Sequence, residues 1–176
     1  FKADFNYRVN NKQSLNFGLN ASYYKLPPGS FLPDGSQSLV KKDVLQPEQG
    51  LESAAYAGYE YSISSSLSLN AGLRYSMFNY LGPHNTYNYV DGLPRETATI
   101  TDTVSYPSGK IIKTYQGPEY RISLRYVLPG DASIKIGYNT MRQYMHQLSN
   151  TITISPTDIW ILSDVYIKPE SGQQYS

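Results

Sequence analysis

The sequence predicts an all-β fold, an antiparallel up-and-down sheet of about six strands that forms one segment of a transmembrane β-barrel. Three observations lead to this prediction. Apolar and polar residues alternate along six runs, which is the periodicity of a strand with two different faces. The connections between these runs are alternately short and long. Charged residues make up only 16% of the chain, against about 25% in a typical soluble domain.

The first two runs form a predicted hairpin. In the first run, residues 1–9, the odd positions are apolar and the even positions are polar or charged. Asn10–Lys12 has the composition of a turn. The second run, residues 15–23, again carries its apolar side chains at the odd positions. An irregular stretch rich in Pro and Gly then extends to about Gly50 and predicts the first long loop.

The next two runs repeat this arrangement. Residues 55–63 alternate, Ser64–Ser66 forms a short turn, and residues 67–77 alternate again. The second long loop is predicted from about Asn79 to Gly117.

The last two runs form the third predicted hairpin. Residues 120–126 and 134–138 alternate on either side of a tight turn at Pro129–Asp131. A third long stretch begins near Arg142 and ends at about Pro169. Short turns at one rim and long loops at the other are typical of outer-membrane barrels, where the short turns are periplasmic and the long loops extracellular.

The distribution of charge separates two faces. No charged residue falls on the apolar positions of the six runs. This is expected of a lipid-facing surface, where Arg or Lys near the bilayer midplane costs about 2–4 kcal/mol. The opposite positions carry Lys2, Asp4, Arg8 and Glu60 as well as the charged residues that we predict to face the lumen, namely Arg74, Glu119, Arg121, Arg125 and Lys135.

Several other classes of function are disfavoured. The formal net charge of +1 gives no reason to expect a nucleic-acid partner, and the chain has no cysteine for disulfides or thiolate metal sites. The two histidines, His84 and His146, have no further ligands at metal-binding spacing, so no metal and no cofactor are predicted. No catalytic motif is present, and we do not expect an enzyme. No stretch has the 18 or more apolar residues of a membrane helix, so any membrane would be crossed by strands.

The domain prediction is a partial outer-membrane barrel covering residues 1–176. The chain has no initiator Met or signal peptide at Phe1 and stops within an apparent element at Ser176, so both ends are interpreted as cut and no plug domain is expected within it. Two alternatives remain open at this point. One is a passive, porin-like barrel, and the other is a soluble β-sandwich that serves as an adhesin or carbohydrate-binding module.

Parts of the sequence resemble a known family. Several segments are similar to the barrel of TonB-dependent outer-membrane receptors of the Bacteroidota type, namely Tyr56–Tyr75 (especially Ser68–Tyr75), Pro118–Tyr126, Ser133–Asn139, Gln143–Trp160, Ile167–Glu170 and Gln173–Tyr175. The resemblance implies a large barrel with an N-terminal plug in the outer membrane of a Gram-negative bacterium. It also implies import of a scarce nutrient such as a siderophore, glycan or peptide. The implied partners are outer-membrane lipid, the plug, the inner-membrane TonB complex and a surface lipoprotein.

The long loops supply the candidate residues for contact with cargo. Functional residues concentrate on loops held by a rigid scaffold, and aromatic, imidazole and carboxylate groups offer stacking and hydrogen bonding. The alternative for each is that it packs its loop against a neighbouring loop. The candidates are His84, Tyr87, Tyr89, His146, Asp158 and Trp160.

Overall fold

The chain is described by a computed structural model over residues 1–27, 29–35, 37–39, 42–130, 132–148 and 159–176. Seven strands form the main sheet, and their bounds are β1 (Lys2–Asn10), β2 (Gln13–Leu26), β5 (Glu48–Ser62), β6 (Leu67–Leu81), β9 (Ile111–Val127), β10 (Ser133–Gln143) and β13 (Glu170–Tyr175). Six short strands form three small hairpins within the long loops, namely β3 (Ser30–Phe31) with β4 (Asp43–Val44), β7 (His84–Tyr89) with β8 (Ile100–Tyr106), and β11 (Met145–Leu148) with β12 (Ile159–Leu162).

The main sheet is an antiparallel up-and-down meander, which confirms the predicted fold class. Its strand order is β1-β2-β5-β6-β9-β10-β13, so each strand lies beside the next one that crosses the sheet. The sheet has seven strands rather than six. The additional strand, β13, pairs with the last six residues of β10. Its sequence is almost entirely polar, which is why alternation did not reveal it.

The register confirms that the alternation is consistent from strand to strand. One row of directly opposed residues runs from Phe5 through Phe17, Ala57 and Leu73 to Tyr120. The rows two residues away on either side are also predominantly apolar, and together they define the apolar face of the sheet. The rows between them define the polar face, for example Asn16, Gly58, Gly72, Arg121 and Asn139.

The three predicted short turns lie at one end of the sheet, here called the turn rim. The Asn10 side chain accepts a hydrogen bond from the Lys12 amide at 2.8 Å. The Ser64 hydroxyl accepts one from the Leu67 amide at 3.1 Å. In the third turn, Gly130 adopts a φ of +83°, a left-handed conformation that glycine tolerates without steric cost. Asp131, predicted to complete this turn, lies outside the described residues.

At the opposite end, the loop rim, the strands extend further than alternation predicts. β6 continues to Leu81 and β9 begins at Ile111, so the second connection is shorter than expected and contains the β7–β8 hairpin. The reason is a change of environment. Above the alternating region, the polar face carries large apolar side chains, including Phe78 and Tyr80, and these are covered by another part of the chain.

The best-packed core lies on the polar face at the loop rim. Phe78, Tyr80, Tyr144 and Leu162 form one buried cluster. The rings of Phe78 and Tyr144 are stacked with their centroids 4.9 Å apart, and the Tyr144 hydroxyl is 2.8 Å from the Ser76 hydroxyl. Because Leu162 ends β12 and Tyr144 precedes β11, this core fixes the β11–β12 hairpin over the upper end of the polar face.

Candidate functional site

Three long connections meet in a groove at the loop rim. The groove encloses about 390 Å³ and is lined by Leu26, Pro27, Gly29, Leu45, Gln46, Glu48, His84, Ile159, Trp160 and Ile161. We call it the loop-rim groove. It brings together two of the predicted cargo-contact residues, His84 from β7 and Trp160 from β12, which are far apart in sequence. Its walls are largely apolar, and its polar groups come from Gln46, Glu48 and His84.

His84 is held in place by its neighbours. Its ring meets the Tyr80 ring edge-on at 5.3 Å between centroids, and its Nδ1 is 3.2 Å from the Tyr80 hydroxyl and 3.5 Å from the Pro47 carbonyl. Partial burial lowers the pKa of His84, so the neutral imidazole is favoured at neutral pH. A neutral ring can donate or accept a hydrogen bond in the groove.

Gln46 joins the first long connection to the second. Its amide oxygen accepts a hydrogen bond from the Asn85 amide at 2.8 Å, and its amide nitrogen contacts the Asn85 carbonyl and the Tyr87 hydroxyl at 3.3 Å. The side chain therefore substitutes for a strand partner along β7. This fixes the wall of the groove beside His84.

Trp160 is the large aromatic side chain of the groove that remains accessible, with 51% of its surface exposed. Its strand, β12, is attached to the main sheet by a hydrogen bond of 2.6 Å from the Leu162 amide to the Glu48 carboxylate. Burial is the main cause that raises the pKa of Glu48 to about 7. An exposed indole can stack on a planar or sugar-like group of a ligand. The neighbouring carboxyl group can at the same time form a hydrogen bond with that ligand.

His146 occupies a different environment from His84. It is only 7% exposed, and its Nε2 is 2.9 Å from the Ser163 hydroxyl. Its Nδ1 lies 3.7 Å from the Glu170 carboxylate. These contacts connect β11 to Ser163, before β13, and to Glu170, the first residue of β13. The imidazole therefore packs within the third loop and is not among the residues that line the loop-rim groove. Asp158, the remaining predicted residue of this loop, lies outside the described residues.

Tyr87 and Tyr89 belong to an aromatic cluster next to the groove. Tyr166 joins the second loop to the third, because its hydroxyl hydrogen-bonds with both the amide and the carbonyl of Tyr87. The Tyr89 and Tyr166 rings meet at 65°, and the Arg95 guanidinium lies 4.7 Å from the Tyr166 ring centroid. This cluster packs the two loops together, which is the alternative that the sequence left open for both tyrosines.

The residues predicted to face the lumen all lie on the polar face. Arg74 is paired with Glu52 at 2.7 Å and with Glu119 at 3.7 Å, and Glu52 also accepts a hydrogen bond from the Tyr24 hydroxyl. Glu52 and Tyr24 were not anticipated from the sequence, because both lie on strand extensions that alternation assigned to the first loop or its border.

Gln46, Glu48, Tyr166 and Arg95 were also missed. Each is a single polar or aromatic residue in an irregular stretch, without a motif around it. The one signal that could have drawn attention is a carboxylate a few residues before an alternating run, as at Glu48, because it places a charge at the start of a strand.

Within the described ranges, no group of three or more His, Cys, Asp or Glu side chains is placed to hold a metal ion. The same residues include no helix that is both long and apolar enough to cross a membrane. None of the protein-family models matches the chain, and neither a curated protein nor a solved structure is detectably similar to it.

Proposed function

We propose that the chain forms part of the wall of an outer-membrane β-barrel, with its apolar face toward lipid and its polar face toward the lumen. The observation that carries this proposal is the continuous apolar face. Large apolar side chains remain exposed across it, for example Phe5 at 56%, Leu73 at 51% and Ile136 at 63%. A contiguous apolar surface of this extent is typical of a surface that is covered by another phase or partner.

The dimensions of the apolar face support a membrane. Along β5 its residues run from Ala55 through Tyr61 and end at Ile63, just after the strand, which is close to the 9–11 residues with which a tilted strand spans a bilayer. Above this belt, the same face changes character, because the side chains of Asn79 and Thr114 hydrogen-bond to each other at 2.7 Å. The apolar belt therefore has a polar boundary toward the loop rim.

Tyrosines of the apolar face lie toward both ends of the belt and also between them, where Tyr7, Tyr59, Tyr120 and Tyr138 are found. Tyr61 and Tyr126 lie toward the turn rim, whereas Tyr23 and Tyr75 lie toward the loop rim. Tyr suits a membrane interface because its ring is apolar and its hydroxyl remains hydrated. Aromatic girdles at the two interfaces are a general feature of membrane barrels.

The packing disfavours the soluble sandwich. A sandwich covers the apolar face of each sheet with a second sheet. Here the buried cluster, with Phe78 and Leu162 at its centre, lies on the polar face instead. Among the described residues, the other sheets are two-stranded hairpins of the long loops, and large side chains of the apolar face such as Leu73 and Ile136 remain exposed.

The finer proposal is a TonB-dependent receptor that imports a scarce nutrient such as a siderophore, glycan or peptide. It rests on the sequence resemblance together with the loop-rim groove, which lies above the polar face where cargo would enter. In this proposal Trp160 and His84 contact cargo. The plug, the TonB complex and a surface lipoprotein are its proposed partners, and an energy-independent barrel is the competing possibility.

Two experiments on the full-length protein test this proposal. Cysteines introduced at Asp34 and Asn85 should react with an impermeant thiol reagent on intact cells, whereas one at Ser65 should not. Uptake of the cargo should stop when the TonB complex is removed and should weaken for Trp160→Ala. Uptake that continues without the TonB complex would indicate a passive barrel, and the reverse labelling pattern would contradict the proposed orientation.

A further inference from the structure

Two cations lie side by side on the polar face and a third lies on the same strand, and none of the three has an acidic partner among the described residues. Arg125 is directly opposite Lys135 on β10 and Ser68 on β6, and Arg121 is opposite Gly72 and Asn139. All three cationic side chains are exposed. Within the part of the chain that the structure describes, none of them has a carboxylate within 4.0 Å.

Other charges on the same face are paired. Arg74 lies between Glu52 and Glu119, and Lys2 contacts Asp4 at 2.9 Å. Like charges directly opposite each other in a sheet are destabilising. The arrangement of Arg125 and Lys135 therefore costs stability unless an anion lies between or above them.

The surroundings of this pair are suited to an anion. A recess of about 510 Å³ near the turn rim is lined in part by Arg125, Lys135, Ser68, Ser123 and Ser133. The guanidinium and ammonium groups supply charged donors, and the three hydroxyls supply neutral ones. The small serine side chains leave space between the two cationic groups.

One carboxylate, that of Glu60, also lines the recess. Its two oxygens lie 3.3 Å from the Ser14 hydroxyl and 3.4 Å from the Asn70 side-chain nitrogen. It is therefore held on the side of the recess away from the two cations. A negative charge there would weaken binding of an anion without preventing it.

We propose that Arg125 and Lys135, with the surrounding serine hydroxyls, bind an oxyanion group, phosphate or carboxylate, of a small solute in the lumen. Arg121 provides a second positive position on the same strand, two rows closer to the loop rim. The planar guanidinium of Arg matches two oxyanion oxygens at once, and Arg and Lys side chains line anion-selective pores for the same reason. The inference rests on the proposed function, because it names the class of solute that the lumen of such a barrel would admit.

The test uses the full-length protein in detergent and inorganic phosphate as the probe. Titration calorimetry should detect saturable binding that weakens as the ionic strength is raised. Arg125→Gln and Lys135→Gln should each weaken binding at least tenfold, because each removes a positive charge and its charge-assisted hydrogen bonding to the anion. Glu60→Gln should tighten binding, since it removes a repulsive charge.

Arg8→Gln is the matched control. Arg8 is an exposed cation near the turn rim of β1, four strands from Arg125, and its loss should leave binding unchanged. Heat-modifiable migration on gels verifies that each barrel is folded. Absence of saturable binding in a folded barrel, or equal weakening by Arg8→Gln, would overturn the inference.

A failure of this inference is distinguishable from a failure of the proposed function. Phosphate binding does not depend on which phase covers the apolar face, whereas contact of Ile122 with lipid does. Lipid contact without phosphate binding would retain the membrane assignment and reject the anion site. Phosphate binding without lipid contact would retain the anion site and reject the membrane assignment.

Discussion

Phe78→Ala should release the β11–β12 hairpin from the polar face. Phe78 has no exposed surface and stacks on Tyr144 at 4.9 Å, and the Tyr24 ring lies 6.4 Å from it. Truncation of a fully buried Phe costs about 3–5 kcal/mol, and loss of a stacked pair contributes about 0.5–1.5 kcal/mol of this. At 1.4 kcal/mol per factor of ten, the docked state should be destabilised by roughly 10²–10³-fold.

Hydrogen exchange measures this docking directly. The Leu162 amide donates to the Glu48 carboxylate of β5, so it is protected only while the hairpin is docked. This amide should exchange roughly 10²–10³-fold faster in Phe78→Ala. Unchanged protection would refute the assignment of the core.

Two variants calibrate this prediction. Tyr144→Phe keeps the stacked rings and removes only the hydrogen bond to the Ser76 hydroxyl, so exchange should accelerate by a factor of about five, equivalent to about 1 kcal/mol. Phe5→Ala removes a ring of the same size from the apolar face of β1, far from the hairpin. Phe5→Ala should therefore leave the exchange rate of the Leu162 amide unchanged.

Three further predictions concern packing, pH and the two faces. Gly50→Ala should destabilise the barrel by about 1–3 kcal/mol in urea unfolding, because the new methyl group would lie 2.7 Å from a buried phenylalanine ring, whereas Gly72→Ala, whose nearest contact is 3.6 Å, should cost much less. Glu48 lies outside the apolar belt, and its pKa is raised in the folded state. Folding therefore favours the protonated form of the Glu48 carboxyl group. Hairpin docking in the wild type should therefore weaken as the pH rises through the interval from about 4.5 to about 7, and Glu48→Gln should remove most of this dependence in hydrogen exchange. Ile122→Arg, near the centre of the belt, should cost about 2–4 kcal/mol in unfolding from lipid vesicles, and Ser123→Arg much less. Equal costs for Gly50→Ala and Gly72→Ala would contradict the close packing at Gly50, and equal costs for Ile122→Arg and Ser123→Arg would contradict the assignment of the two faces. A pH dependence that Glu48→Gln leaves unchanged would contradict the role of Glu48 in docking.

The meander could be predicted from the sequence because one physical rule governs it. A strand with different environments on its two faces must alternate, and this rule correctly placed the apolar rows from Phe5 to Tyr120. The short turns were equally predictable from their Asn, Ser, Pro and Gly residues. β13 could not be predicted in this way, because its side chains are nearly all polar and its place in the sheet depends on backbone pairing with β10.

The loop rim could not be predicted for a related reason. Phe78 and Tyr80 fall at positions that alternation assigns to the polar face, and only the position of the β11–β12 hairpin explains why they are buried there. Similarly, His84 and Trp160 carry no sequence signal that they line one groove. Their proximity results from contacts such as those of Gln46 and Glu48, which join segments that are distant in sequence.

Fluorescence quenching by brominated lipid measures whether the apolar face of the sheet lies against the acyl chains of a membrane. The experiment uses the full-length protein with Trp160→Phe, so that Trp160 does not contribute to the fluorescence. Either Ile122→Trp or Ser123→Trp is added, and each variant is reconstituted in vesicles of lipids with brominated acyl chains. These neighbouring positions lie on opposite faces of β9, at almost the same depth. We expect strong quenching for Ile122→Trp and little for Ser123→Trp. Equal quenching at the two positions, or stronger quenching for Ser123→Trp, would contradict the claim that the apolar face lies against a membrane.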